Sequence, residues 1–406
     1  MDGKNGFLYG IPFNARRVVK FNPLDKSLTE IGPDLGEGGV KWRCGVRANT
    51  GSIYCAPYNA DHILKIDTID GTVETLDDIK LPERGSGLWQ SGALAQDHNI
   101  YYMPSNARRI MRLNPDNDSL SSVGDDIGGR FKYSGTVVGN DDCVYGIPLN
   151  ATRIAKYNPA DPDTTSTVGE EAEGYFVCDK GVLAGDGYIY AANRCGQVLQ
   201  IDTTNGNYTW IGDPIYSGNG AGWGGPIVGV DKCIYWPPSF ANRVLKFDPE
   251  TQQLPSLVGD DLGAGEWKWQ GGALATDGVI YCIPFDSTQI LAINPFKLLA
   301  MTMQNNFRQY PQEVGRLFVK DEECDETFYD SAVRKFGVEK VFELIEECVP
   351  LDEEWSDDHS NALPPFMVAA SSCENCAVSV IYYFLRRNAH ALVANYSDEE
   401  SNIQNK

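Results

Sequence analysis

One phrase, restated seven times, constrains this chain more than any other feature. It begins as FLYGIPFNARRVVKFNP from Phe7 to Pro23 and returns as IYCAPYNADHILKID from Ile53, IYYMPSNARRIMRLNP from Ile100 and VYGIPLNATRIAKYNP from Val144. The last three copies are IYAANRCGQVLQID from Ile189, IYWPPSFANRVLKFDP from Ile234 and IYCIPFDSTQILAINP from Ile280. Seven tyrosines anchor the copies: Tyr9, Tyr54, Tyr101, Tyr145, Tyr190, Tyr235 and Tyr281, at gaps of 45, 47, 44, 45, 45 and 46 residues. A period of about 45 residues is the length of a four-stranded propeller blade, longer than most helical repeats.

Within a copy the local chemistry agrees with the period. In the third, Ser91 to Gln96, IYYMP, RIMRLNP and SLSSVGDD read as four short strands separated by turns at Asp97 to Asn99, at Asn106-Ala107 and after Pro115. β-Branched and aromatic residues fill the strands, and Gly, Asn, Asp and Pro fill the turns. With strands A to D named outward from the axis, the B–C turn and the connection to the next strand A share one face of the disc. The A–B and C–D turns share the other. The fold class expected is therefore an all-β seven-bladed propeller over residues 1–295, then a small α-helical part over 296–396 and a polar, flexible tail over 397–406.

These repeats resemble the NHL-like and kelch-like propellers, where a GxAxDxxGxIYVADxxNxRIxxFD phrase forms strands A to C. The resemblance covers residues 1 to about 295 and implies the architecture. The superfamily holds scaffolds, lectins, lactonases and lyases alike, so activity has to be read from the site. Here Pro12, Pro57, Pro104, Pro148, Pro238 and Pro284 follow the second strand where the family commonly has Ala-Asp, and any role tied to that Asp does not carry over.

The ring has an irregular seam. The first copy starts at strand B and the seventh stops at strand C near Pro295, so a short terminal blade is expected, or closure helped by Leu298 to Met303. Beyond Pro295 the spacing turns helical, as in TFYDSAVRKFG and VEKVFELIEEC. Ala362 to Leu392 resembles one ankyrin-type helix pair.

A formal charge of −22 argues against nucleic acid and anionic membrane surfaces. No run approaches the roughly 18 apolar residues of a membrane helix, and MDGKNGFLYGIP has no secretory pattern. Eleven cysteines in no fixed pairing suit a reducing, cytoplasmic setting. No cofactor is expected. The histidines His62, His98, His359 and His390 form no metal-ligand pair, and Cys373 and Cys376 make a single CxxC with no second pair.

Two sets of residues are candidates for a binding face. Twelve residues before each anchoring tyrosine except the first stand Trp42, Trp89, Tyr133, Cys178, Trp223 and Trp269; five of the six are large aromatics, a ring at one mouth of the channel that either packs between blades or faces a ligand. On the same face Asn14, Asn59, Asn106 and Asn150 are followed three residues later by Arg17, His62, Arg109 and Arg153, with Arg243 in the sixth copy. Asp34, Asp77, Asp78, Asp125, Asp126, Asp260 and Asp261 are expected partners for these arginines. On the opposite face Asp97, Asp141, Asp142, Asp186, Asp231 and Asp277 read as turn formers. The function expected is non-catalytic binding of a protein or peptide, with a glycan-binding propeller or a lyase- or hydrolase-type propeller enzyme as the alternatives.

Overall fold

The computed structural model describes residues 1–309, except 217, 219 and 221, and residues 327–348. Its β part is a seven-bladed propeller. The first blade holds β1 (Leu8–Gly10), β2 (Val18–Phe21) and β3 (Leu28–Ile31); the second, β4 (Val46–Arg47), β5 (Ile53–Cys55), β6 (Leu64–Ile66) and β7 (Val73–Thr75). The third has β8 (Trp89–Leu94), β9 (Ile100–Pro104), β10 (Ile110–Asn114) and β11 (Ser119–Val123), and the fourth β12 (Tyr133–Val138), β13 (Val144–Pro148), β14 (Ile154–Tyr157) and β15 (Ser166–Val168). The fifth comprises β16 (Cys178–Leu183), β17 (Tyr188–Asn193), β18 (Val198–Asp202) and β19 (Tyr208–Ile211). The sixth comprises β20 (Ile227–Val228), β21 (Ile234–Trp236), β22 (Val244–Phe247) and β23 (Ser256–Val258), and the seventh β24 (Ala273–Leu274), β25 (Ile280–Cys282) and β26 (Leu291–Ile293). Every pairing is antiparallel between chain neighbours, as short turns require.

The core lies between blades. Val18 packs with Trp42, Ile53 and Leu64 across the first interface, and Tyr54 with Trp89, Ile100 and Met111 across the second. Tyr145 with Ile189 and Leu199, and Tyr190 with Ile234 and Leu245, repeat the arrangement further round. Strand B is buried on both faces, which explains why its residues are apolar without interruption.

Both terminal blades are three-stranded, which agrees with the irregular seam expected from the repeats. The ring closes nonetheless. Leu8 and Phe21 pack with Ala273, Ala275 and Tyr281, the rings of Phe21 and Tyr281 lie 5.0 Å apart, and Lys26 of the first blade bonds Asp277 and the Tyr281 hydroxyl of the seventh. Met1 and Asp2 run antiparallel beside β1: the backbone N–H of Tyr9 donates to the Met1 carbonyl at 2.7 Å, and Asp2 pairs with Leu8.

The compact β unit ends at Asn294 and a second unit begins at Pro295. Leu298 to Met303 belong to α1 (Pro295–Gln309). The two segments with helical spacing form α2 (Phe328–Phe336) and α3 (Val338–Cys348). Thr327 caps α2 by accepting the Asp330 N–H at 2.9 Å, and Gly337, at φ 82°, ends it. The ankyrin-type pair expected at Ala362 to Leu392 and the tail lie outside the described residues.

Candidate functional site

The tryptophans do not offer their faces to a ligand. Trp42, Trp89, Trp223 and Trp269 are 3%, 1%, 4% and 5% exposed, and each indole N–H donates to a backbone carbonyl at the start of its own strand C. The acceptors are His62, Arg109, Arg243 and Gln289, at 2.9, 3.4, 2.8 and 2.9 Å. Each of these tryptophans also pairs through its backbone with the proline at or just past the end of strand B, as Trp42–Pro57, Trp89–Pro104, Trp223–Pro238 and Trp269–Pro284. The set is thus a row of pins holding strand A to strand C. Tyr133 and Cys178 occupy the same register and are buried likewise. Of the two readings of this register, packing between blades holds, and the ligand-facing alternative is corrected.

The asparagines clamp neighbouring blades. Asn14 Oδ1 accepts the N–H of Val40 at 3.1 Å, Asn59 Oδ1 that of Gly87 at 2.9 Å, and Asn106 Oδ1 that of Phe131 at 2.8 Å. In each case the donor belongs to the next blade. Asn150 is exposed in the equivalent turn, with its backbone N–H on the Phe131 carbonyl.

The arginines differ from expectation by one residue. Arg17, Arg109 and Arg153 donate to the carbonyls of Gly32, Gly124 and Gly169 at the ends of their own strand D. The ion pairs are made instead by Arg16 with Asp34 and by Arg108 with Asp126, while Arg153 meets Glu171 at 3.5 Å. His62 lies 3.7 Å from Asp77, and Arg243 is exposed.

Three buried cations were not anticipated. Lys41, Lys132 and Lys268 each directly precede a pin residue, and each ammonium donates to three backbone carbonyls. Lys132 reaches Ser105, Ala107 and Gly129 at 3.0, 2.8 and 3.0 Å. Desolvation lowers the pKa of all three, that of Lys132 to about 8. Their signal was a lysine beside an aromatic in the repeat register, after a glycine-containing loop in all three cases.

The aromatics of this face that keep some exposure sit elsewhere: Phe13, Tyr58 and Phe285 are half-buried and Trp267 is exposed. Phe13, Tyr58 and Phe285 directly follow the proline that ends strand B, and Trp267 stands two residues before its pin. Phe13 and Phe285 rings are 4.6 Å apart, Phe285 and Trp267 6.2 Å, and Trp267 and Phe240 5.0 Å. Trp267 is 40% exposed and, like Val40 and Phe131 at the same register, holds a positive φ of 53°. Left-handed backbone at Val, Phe and Trp is costly, and such strain gathers at working surfaces.

Beneath these rings lies a cavity of about 600 Å³, within the range of sites that enclose a small ligand. Its walls include Gly10 of β1 and Ile11 after it, the segments leading into strand A of blade two (Arg43, Cys44, Gly45) and of blade seven (Gln270, Gly271, Gly272), and Lys180 of blade five. Arg43 reaches Asp179 at 3.0 Å, an ion pair between blades two and five. Among the described residues no three His, Cys, Asp or Glu side chains gather to hold a metal ion.

On the opposite face the aspartates do structural work, as their turn positions implied. The hydroxyls of Tyr101, Tyr145, Tyr190, Tyr235 and Tyr281 donate to Asp97, Asp141, Asp186, Asp231 and Asp277 at 2.7 to 2.9 Å. Lys156 and Lys246 join Asp141 and Asp231. Burial, with the neighbouring carboxylate, raises the pKa of these phenols.

The fold and this channel define a seven-bladed propeller with a central cavity opening under aromatic residues. Solved structures similar to it include a streptogramin B lyase, at 15% identity, TM-score 0.57, 70% of this chain and 88% of that one. A catalytically inactive histidine-to-alanine variant of virginiamycin B lyase from Staphylococcus aureus with quinupristin aligns at 16%, TM-score 0.55, covering 70% and 90%. A protein from Lactobacillus plantarum aligns at 14%, TM-score 0.53, also covering 70% and 90%. At these identities the likeness is one of fold. No protein-family model matches the sequence, and no curated protein matches it.

Proposed function

We propose that the chain is an intracellular, non-catalytic binding protein that receives a protein or peptide segment at the mouth formed by the B–C turns. The observation behind this reading is the cavity of about 600 Å³ under Phe13, Phe285 and Trp267. Aromatic rings around a desolvated pocket are what anchors the central residue of a peptide or protein partner. Cys44, Cys55, Cys143, Cys178, Cys195, Cys233 and Cys282 are free thiols, which accords with a reducing compartment. Pull-down with the whole chain and with a Phe13→Ala/Trp267→Ala variant tests it. A folded variant that keeps every partner sinks the reading, whereas loss of specific partners supports it.

A second reading, a lyase-type enzyme, is favoured by the fold likeness to streptogramin B lyase and to the lyase solved with quinupristin. Incubation with quinupristin and mass spectrometry separates the two: a converted product favours the enzyme. A glycan array tests the lectin-like alternative in the same way.

A further inference from the structure

Three steps of the ring share a device that the step into the seventh blade lacks. Two residues before the pin the chain turns left-handed at Val40, Gly87 and Phe131, at φ 51°, 67° and 51°, and the N–H there donates to Asn14, Asn59 or Asn106 of the preceding blade. The step from the sixth to the seventh blade has the same backbone. Lys268 donates its N–H to the Ser239 carbonyl at 3.0 Å, as Lys132 does to that of Ser105 at 3.2 Å. Phe240 therefore stands where Asn106 stands, and Trp267, at φ 53°, where Phe131 stands.

A phenylalanine has no oxygen to offer. Asn242, the asparagine of this turn, is committed within its own blade: its amide donates to Asp261 at 2.6 Å and its backbone carbonyl accepts the Leu262 N–H at 2.7 Å. Among the described residues no group accepts the Trp267 N–H. The frame around it is fixed all the same, because Phe285 and Asp286 donate their N–H groups to the carbonyls of Lys268 and Trp267 at 2.9 and 3.1 Å.

The ring of Phe240 leans on Trp267 instead, with centroids 5.0 Å apart at 71°, and Trp267 stays 40% exposed. Left-handed backbone at a bulky residue, without the side-chain bond that holds the turn at three other steps, is a cost to the free chain. A carbonyl brought by another molecule recovers that bond, and the two rings give its neighbour an apolar seat.

We propose that the rim between the sixth and seventh blades binds a peptide segment that presents an asparagine. The side-chain carbonyl of that asparagine accepts the Trp267 N–H, as Asn106 accepts that of Phe131, and the residue beside it rests on Phe240 and Trp267. This deepens, and rests on, the reading of the mouth as a peptide-binding face.

The missing acceptor is tested first without any ligand. Phe240→Asn rebuilds the clamp, so its folding equilibrium constant is expected to be about fivefold larger than that of Phe240→Ala, which loses the same ring. Equal stability of the two in denaturant melts overturns the proposal. For binding, the probe is acetyl-Ser-Asn-Ala-Arg-Arg amide, the chain's own clamp turn from Ser105 to Arg109. Followed by saturation-transfer NMR on the full chain, it is expected to bind about fivefold to tenfold more tightly than the same peptide with alanine for asparagine. That preference is expected to vanish in Phe240→Asn, whose own amide takes the N–H. Equal binding of the two peptides to the wild-type chain overturns the proposal. So does capture of displayed random peptides in a Phe13- and Trp267-dependent way with no enrichment of asparagine, and the binding face then stands without it. Capture of no peptide sinks both. Asn150 is exposed, and among the described residues its side chain makes no bond. A dimer seen in sedimentation that Asn150→Ala dissolves would therefore put a second copy of this chain in the site and overturn the assignment to a peptide.

Discussion

Lys132 shows how far a single residue departs from its usual place. A lysine is rarely buried, yet this one is 5% exposed with three carbonyls around its ammonium. Burial lowers its pKa to about 8, whereas in the unfolded chain it titrates near 10.4. Between these values the unfolded state binds the extra proton, so raising the pH through this window stabilises the fold. Wild type is expected to gain stability relative to Lys132→Met by up to about 1.4 kcal/mol per pH unit from pH ~8 to ~10.4, with no such trend at pH 6 to 7. Parallel denaturant melts across that range check it; a flat difference contradicts the burial argument. Asp231 is the opposite case, a carboxylate 1% exposed between the Tyr235 hydroxyl at 2.7 Å and Lys246 at 3.3 Å. Asp231→Ala leaves the half-buried Lys246 ammonium and the buried Tyr235 phenol without their acceptor and is expected to cost about 3–5 kcal/mol. Asp186→Ala, at an exposed copy of the same position, is expected to cost about 1 kcal/mol. Chemical denaturation of the two variants ranks them.

At the scale of strands, the pins and clamps decide what holds a blade. Trp89 fills the second interface and ties strand A to strand C through the Arg109 carbonyl, so Trp89→Ala is expected to cost about 3–5 kcal/mol of stability. Asn59→Ala removes bonds to Gly87, Ser86 and Gly39 in the loops flanking it, at about 1–2 kcal/mol. Thermal melts of both variants test the ranking, and a Trp89→Ala chain as stable as wild type would refute the pin. Strand positions, the seven copies and the short terminal blades were all legible, because alternation and turn residues are local properties. The constant tryptophan register was legible too; its direction was not. In the third, fourth and fifth blades the ladder shifts register just after the pin, at Trp89/Gly92, Tyr133/Gly135 and Cys178/Gly181. A bulge there re-aims the side chain, so counting alternate residues back from the strand misplaces it. The arginine pairs slipped by one for a related reason: Arg16 and Arg17 are adjacent, and only the observed turn geometry assigns the carboxylate to the first. Phe13, Tyr58 and Phe285 were visible in the repeated phrase but not singled out, since nothing local says that a residue after proline overlooks the channel.

For the β unit as a whole, the seam between the seventh and first blades is where the ring is expected to open. Strands of the third to fifth blades reach five or six residues, whereas β1, β24, β25 and β26 have two or three. Among the described residues the seam also lacks the inter-blade backbone bond that Lys41 makes to Phe13 and its counterparts make at the five other steps, and it relies on Phe21 against Tyr281, Phe13 against Phe285, and Lys26 on Asp277. The ion pair is half exposed and contributes little, so the rings carry the closure. Repeat architectures open where neighbour contacts are weakest, and exchange of backbone amides reads the local opening free energy. Hydrogen exchange by mass spectrometry is therefore expected to show β1, β2 and β25 exchanging ahead of β9, β13 and β17. Phe21→Ala should deepen that contrast, raising exchange in β25 by about tenfold or more while leaving β13 unchanged, because the loss is confined to one interface. Uniform acceleration across all seven blades would mean that the ring opens as one cooperative body, and the seam would then have no special standing.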